Sequence, residues 1–256
     1  MMKNVNLTEK KLEICAGSYE DCRTAWEAGA DRVELNSALS LGGLTPGLSG
    51  FLAAKKECGC PIVCMVRPRG AGFCYRDEEV RVMFGDAGRF LENGADGIAF
   101  GFLREDRTID RGLTARMCSL IHHYEGEAVF HRAFDVTPDA DAAMETLMEC
   151  GADRVLTSGQ QKTAMEGISL IRHLQEVYGS RIEILAGSGL NAGNAAEMFA
   201  GSGVSQIHAS CKGYGSDPTT AGNGVTYGIL APPYEDGYPM VDKEAVRRLV
   251  RAVRAC

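Results

Sequence analysis

A small set of residues carries groups that could do chemistry. His131 and Asp135 stand four positions apart. A carboxylate that fixes the tautomer of an imidazole is an arrangement shared by acid–base catalysts and metal sites. An Asp that opens a turn ahead of Pro138 serves equally well as a helix cap, and both readings stand. Glu34 offers a further acid or base, while Arg67 and Arg69 could hold an anion between them. Against this stands the reading that such charges only pair with one another inside the fold. The run AGSGLNAGN at 186–194 sets Gly187, Ser188 and Gly189 just ahead of a helix whose start Asn191 marks. Backbone N–H groups and the helix dipole bind phosphate at such a place, although the same glycines suit a plain tight turn. Ser158, with Thr157 and Gln160, ends another apolar run and is a further candidate for holding a bound group. Ten cysteines and ten methionines supply soft donors, but there is no CxxC pair. The close pair Cys58 and Cys60 falls between a helix and the next strand, away from the other candidates, and reads as a turn. His122, His123 and His173 end or lie within helices, where surface or dipole roles suffice.

The elements that must position these residues repeat. AGADRVELNS at 28–37, NGADGIAFG at 93–101, CGADRVLTSG at 150–159 and the weaker SGVSQIHAS at 202–210 each read as helix end, glycine turn and strand. KLEICAG at 11–17, PIVCMVRP at 61–68, EAVFHRAF at 127–134 and RIEILAGSG at 181–189 supply further strand-like runs. Helix-patterned segments at 19–28, 48–58, 77–93, 111–123, 138–149, 163–178, 192–201 and 242–253 alternate with them. Alternation of this kind fits an α/β chain, and a closed (β/α)8 TIM barrel better than a doubly wound sheet. In such a barrel function gathers at the C-terminal ends of the strands. The period of two then puts Glu13 with Cys15, Glu34 with Asn36, and Arg67 with Arg69 on shared faces, with His131, Glu183 and His208 on other strands. The Gly-, Pro- and Tyr-rich segment 212–241 is too long for a simple loop and is expected to be a lid, an interface arm or disordered.

Length and composition bound the rest. The 256 residues, 45% hydrophobic and 24% charged, are expected to form a single barrel domain over 1–256 that needs no disulfides. A net charge of −7 argues against a nucleic-acid partner. The start MMKNVNLTEKKLEIC has no apolar secretion segment, and no apolar run is long enough to span a bilayer. A cytoplasmic chain with mostly reduced thiols and no membrane partner is expected.

LEIC at 12–15, GADRVEL at 29–35, GGLTP at 42–46, RPRG at 67–70 and FCY at 73–75 together resemble the CutC family. FHRAFD at 130–135, LTSGQ at 156–160, AMEG at 164–167 and HAS at 208–210 continue the series, so the likeness runs from about residue 11 to 211. The resemblance implies a cytoplasmic TIM barrel, a homo-oligomer (dimer or tetramer), assigned to copper binding and copper homeostasis. It implies Cu(I) on Cys15 at the end of the first strand and on a second cysteine at the end of the second, where this chain has Asn36. The residues taken alone also support an enzyme acting on a small anionic or phosphorylated substrate.

Overall fold

The computed structural model describes residues 9–256; the opening stretch read above for a secretion signal lies in part outside the described residues. Eight parallel strands close into a barrel in sequence order. They are β1 (Lys11–Ala16), β2 (Arg32–Leu35), β3 (Ile62–Met65), β4 (Gly97–Phe100), β5 (Glu127–Phe130), β6 (Arg154–Thr157), β7 (Glu183–Gly187) and β8 (Gln206–Ala209). Between and after them run α1 (Tyr19–Glu27), α2 (Leu48–Glu57), α3 (Asp77–Glu92), α4 (Arg111–His123), α5 (Ala140–Cys150), α6 (Ile168–Tyr178), α7 (Ala195–Ser202) and α8 (Lys243–Arg254). Closure is made by β1 against β8, with Glu13 opposite His208. The repeated phrase works as a helix stop: Gly29, Gly94, Gly151 and Gly203 all take positive φ, between 77° and 98°, where a side chain would be strained.

Alternation along each strand sends Leu12, Ile14, Val33, Leu35, Ile98, Phe100 and Ile207 outward into the apolar layer shared with the helices. The inward faces divide in two. Val63, Met65, Ala99 and Val129, from β3, β4 and β5, form a small apolar cluster of their own. The buried polar residues Glu13, Arg32, Glu34, Arg154, Gln206 and His208 come instead from β1, β2, β6 and β8.

Segment 212–241 is ordered as an antiparallel ribbon of β9 (Lys212–Ser216) and β12 (Gly237–Val241), carrying a short hairpin of β10 (Ala221–Gly222) and β11 (Val225–Thr226). Its root joins the mouth of the barrel: Lys212, Tyr214 and Met240 share a crevice of about 100 Å³ with Cys15 and Leu39. Among the described residues no helix is long and apolar enough to cross a membrane.

Candidate functional site

At the C-terminal ends of the strands lies a cavity of about 250 Å³. Cys15, Glu34, Asn36, His131, Arg132, Ser188, Gly189, His208 and Lys212 line it, with Leu39 and Leu156 as apolar wall. Donor atoms of Cys15, Glu34 and His208 all lie within 4.8 Å of one another, a cluster able to hold a metal ion. Register explains the convergence: Cys15 pairs with Glu34 across β1 and β2, and His208 enters from β8 on the other side of β1.

Below the cavity the barrel is filled by an ion layer. Arg154 reaches Glu127 at 2.8 Å and Glu183 at 2.7 Å. Gln206 donates to Glu183 at 2.7 Å and accepts from Arg32 at 2.9 Å. Arg32 closes the layer on Glu13. Glu13 then passes its other oxygen upward, to Nδ1 of His208 at 2.7 Å. That contact turns Nε2 of His208 toward Cys15, the arrangement by which a carboxylate orients a metal-binding imidazole.

The electrostatics follow from this stacking. Burial alone would raise the Glu13 carboxyl, but the Arg32 guanidinium and the His208 hydrogen bond hold it far below the usual carboxylate range. Burial works against a charge on His208, yet hydrogen bonds to Cys15 and Glu13 and the charge of Glu34 raise it well above the ordinary imidazole value. Burial pushes the Cys15 thiol and the Glu34 carboxyl up. His131 is pushed down to about 3 by burial and by the nearby Arg67, Arg132 and His208. It faces the cavity as a neutral ring, packed edge-on against Phe73 with centroids 5.4 Å apart.

The other sequence candidates are placed differently. Asp135 is turned away from His131, because a 3-10 turn over Arg132–Val136 carries it to the end of β6. There it accepts from Thr157 Oγ1 at 2.6 Å, from Ser158 Oγ at 2.9 Å and from the Arg132 Nε at 2.7 Å. The imidazole–carboxylate pair expected at 131 and 135 is therefore formed at 208 and 13. Ser158 is spent on Asp135 and on the Gln161 carbonyl, at 2.5 Å, rather than facing the cavity. Arg67 gives its Nη groups to the carbonyls of Leu41, Gly43 and Ala71 and stacks on Phe73, so it staples two loops at the rim. Arg69 pairs with Glu79 at 2.6 Å and stacks on Tyr75, outside the cavity lining. Ser188 and Gly189 do line the cavity, both at positive φ, whereas Gly187 packs under His208, where an added Cβ would stand 2.6 Å from Leu156. Asn191 begins the turn, not the helix: its Oδ1 accepts from Gly193 N at 2.8 Å, and α7 is capped at Asn194. His122 and His173 sit on Asp153 and Asp141, each at 2.8 Å, on the helical surface.

Asn36, which in the sequence marks only the place of a second cysteine, is central to the site. Its Nδ2 donates to Glu34 Oε1 at 2.8 Å and lies 3.6 Å from Cys15 Sγ. Gly43 makes room for it, since a Cβ there would stand 2.4 Å from Asn36 Oδ1. His208 appeared only as one strand residue among several, and its partner Glu13 is 195 positions away.

Comparison with known proteins agrees with this architecture. Residues 10–213 match the CutC family. A CutC family protein of Treponema denticola is 44% identical over 256 residues, 98% of this chain and 100% of that protein. The human copper homeostasis protein cutC homolog is 40% identical over 201 residues, 78% of this chain and 73% of its own length. The crystal structure of a putative copper homeostasis protein CutC from Streptococcus agalactiae superposes with a TM-score of 0.73 at 32% identity, covering 78% of this chain and 97% of that one. Phosphoribosylanthranilate isomerase from Pyrococcus furiosus shares the barrel alone, with a TM-score of 0.58 at 13% identity over 97% of this chain and 100% of that one. With a family match across most of its length and relatives at 40% identity or more, this chain belongs to the CutC family.

Proposed function

We propose that this protein binds copper, as Cu(I), in the mouth of its barrel and serves copper homeostasis in the cytoplasm. The observation that carries the reading is the convergence of Cys15, His208 and Glu34 within 4.8 Å, above a carboxylate that orients the imidazole. Thiolate and imidazole are donors that suit Cu(I), whereas a carboxylate is harder. Cys15 Sγ and His208 Nε2 are therefore the pair that would carry the ion, with Glu34 beside them. Asn36 takes the position that the family likeness gives to a second thiolate, and His208 supplies the second donor from the opposite side of β1. The name of the human relative points to copper as well. All ten cysteines are free thiols, which accords with a reducing compartment.

The test is an anaerobic Cu(I) titration against a competing chelator, on the wild type, on Cys15→Ala and on the double variant Cys58→Ala/Cys60→Ala. Stoichiometric binding lost in the first variant and kept in the second is expected. The two control thiols are buried at the far end of the barrel, and burial pushes Cys60 up to about 12. Weak binding in all three proteins, or loss confined to the double variant, would refute the assignment.

A further inference from the structure

A second cavity, of about 530 Å³, opens beside the mouth where the turn after β7 meets the root of the ribbon and α8. Residues 189–193 form one wall, 210–212 the next, and Ala245, Arg248 and Leu249 of α8 the third. Among the described residues no carboxylate lines it, although acids outnumber bases in this chain by 34 to 27. Its two charged side chains are Lys212 and Arg248, both exposed and neither in an ion pair among the described residues. On the same helix Arg247 and Arg254 are paired, with Glu244 and Asp31. Burial pushes the Cys211 thiol up to about 11, while the Arg248 guanidinium works against the rise, so the cation stands close to the middle wall. Asp242 also neighbours Cys211, but its Oδ1 accepts from the N–H groups of Glu244 and Ala245, at 2.8 and 3.0 Å, and it does not line the cavity.

The wall opposite the cations is fixed by two asparagines. Asn194 donates from Nδ2 to Gly189 O at 3.0 Å and accepts at Oδ1 from Asn191 N at 2.8 Å, and Asn191 Oδ1 accepts from Gly193 N at 2.8 Å. Small residues at 189, 192 and 193 leave the main chain open to close approach. Two cations across from such a wall, with no acid between them, suit a compact anion of high charge. A phosphate group carries about −1.5 to −2 at neutral pH and takes Arg and Lys as its partners. The volume falls within the range of about 300–1,000 Å³ usual for ligand clefts, which leaves room for more than the phosphate itself.

We propose that this second cavity binds a small phosphate monoester, with its phosphate group between Lys212 and Arg248. The site uses none of Cys15, Glu34 and His208, so it goes beyond the copper reading, and the two can fail separately.

The experiment is calorimetric titration of the full chain, free of metal, with glycerol 3-phosphate, with inorganic phosphate and with glycerol. Saturable binding of the ester and none of glycerol is expected. Arg248→Gln and Lys212→Gln should each weaken the ester by about ten-fold or more, since each removes one charge-assisted contact. Ala192→Glu, which brings a carboxylate to the opposite wall and leaves both cations in place, should weaken it at least as much. Arg251→Gln removes a charge from the same helix outside the cavity and should leave the affinity within about two-fold, because exposed charges at a distance are screened. No saturable binding of glycerol 3-phosphate would overturn the proposal. So would an ester that binds no more tightly than inorganic phosphate, which would mark a site for the free ion. A loss in Arg251→Gln as large as in Arg248→Gln would overturn it too, by reducing the effect to general surface attraction.

Discussion

Two layers of polar side chains fill the barrel interior, and they are satisfied in opposite ways. In the lower layer Glu13, Arg32, Gln206, Glu183, Arg154 and Glu127 pair with one another, and Arg154 Nη1 is its one buried side-chain atom without a partner among the described residues. In the upper layer Glu34, Asn36 and His131 each leave an atom unpaired. Glu13, Arg32, Arg154 and Gln206 of the lower layer are buried like the three residues of the upper one, so desolvation alone does not separate the layers. What separates them is that the lower one is closed by the chain itself, whereas the residues of the upper one line a cavity. Paired charges hold the barrel in register, while the upper layer lines the mouth where the candidate metal donors meet.

The most direct way to break this contrast is Arg154→Met. It strips the shared cation from Glu127 and Glu183, which leaves two partly exposed carboxylates without their partner at a cost of about 1–3 kcal/mol. Urea unfolding at neutral pH measures it. A loss under about 1 kcal/mol would show that the lower layer is not what holds the barrel closed.

A smaller effect sharpens the role of the upper layer. A metal needs Cys15 as thiolate and His208 as a neutral ring, and both groups are shifted upward, Cys15 by burial and His208 by its hydrogen bonds to Cys15 and Glu13. In the metal-free protein both protons are therefore held at neutral pH and must leave as the ion binds. Copper affinity should rise with pH through the neutral range, by as much as about ten- to hundred-fold per unit for one or two protons released. Chelator competition at pH 6, 7 and 8 reads this slope. An affinity flat in pH, or falling, would remove Cys15 and His208 from the metal site.

Much of the fold was legible because its signals are local. Gly29, Gly94, Gly151 and Gly203 each end a helix in the left-handed conformation, and any of them can be recognised from the ten residues around it. Period two then put Cys15 and Glu34 on the inward face, where they are found. The pairing of charges was not legible, because it is decided by contacts distant in sequence. His131 and Asp135 are near neighbours in the chain, but the turn between them sends one to the cavity and the other to Thr157 and Ser158. Glu13 and His208 meet only because the ring closes, and no local pattern announces that. Arg67 misled for a related reason: at a loop-rich rim the nearest acceptors are backbone carbonyls, and these take up both of its Nη groups. The ribbon at 212–241 was hidden by its own composition, since KGYGS and GYPMV are poor strand formers that hold together by pairing with each other.

The finest test of the two-layer contrast is Glu34→Gln, for which the expected change in stability is small and its sign depends on pH. Burial holds the Glu34 carboxyl above the usual carboxylate range in the folded chain, while in the unfolded chain it titrates normally. Over the interval between those two values the folded state keeps a proton that the unfolded state has lost, so the wild type loses stability as pH rises through it. The amide that replaces the carboxyl in the variant ionises in neither state, and the substitution escapes that loss. Glu34→Gln should therefore be close to neutral in acid and at least as stable as the wild type at pH 7, within about 1 kcal/mol, with its gain growing as pH rises. Parallel unfolding curves at pH 5 and pH 7 decide it. If Glu34→Gln instead costs as much as Arg154→Met, the upper layer is as structural as the lower one. Glu34 would then belong to the frame of the barrel rather than to a place kept for a bound ion.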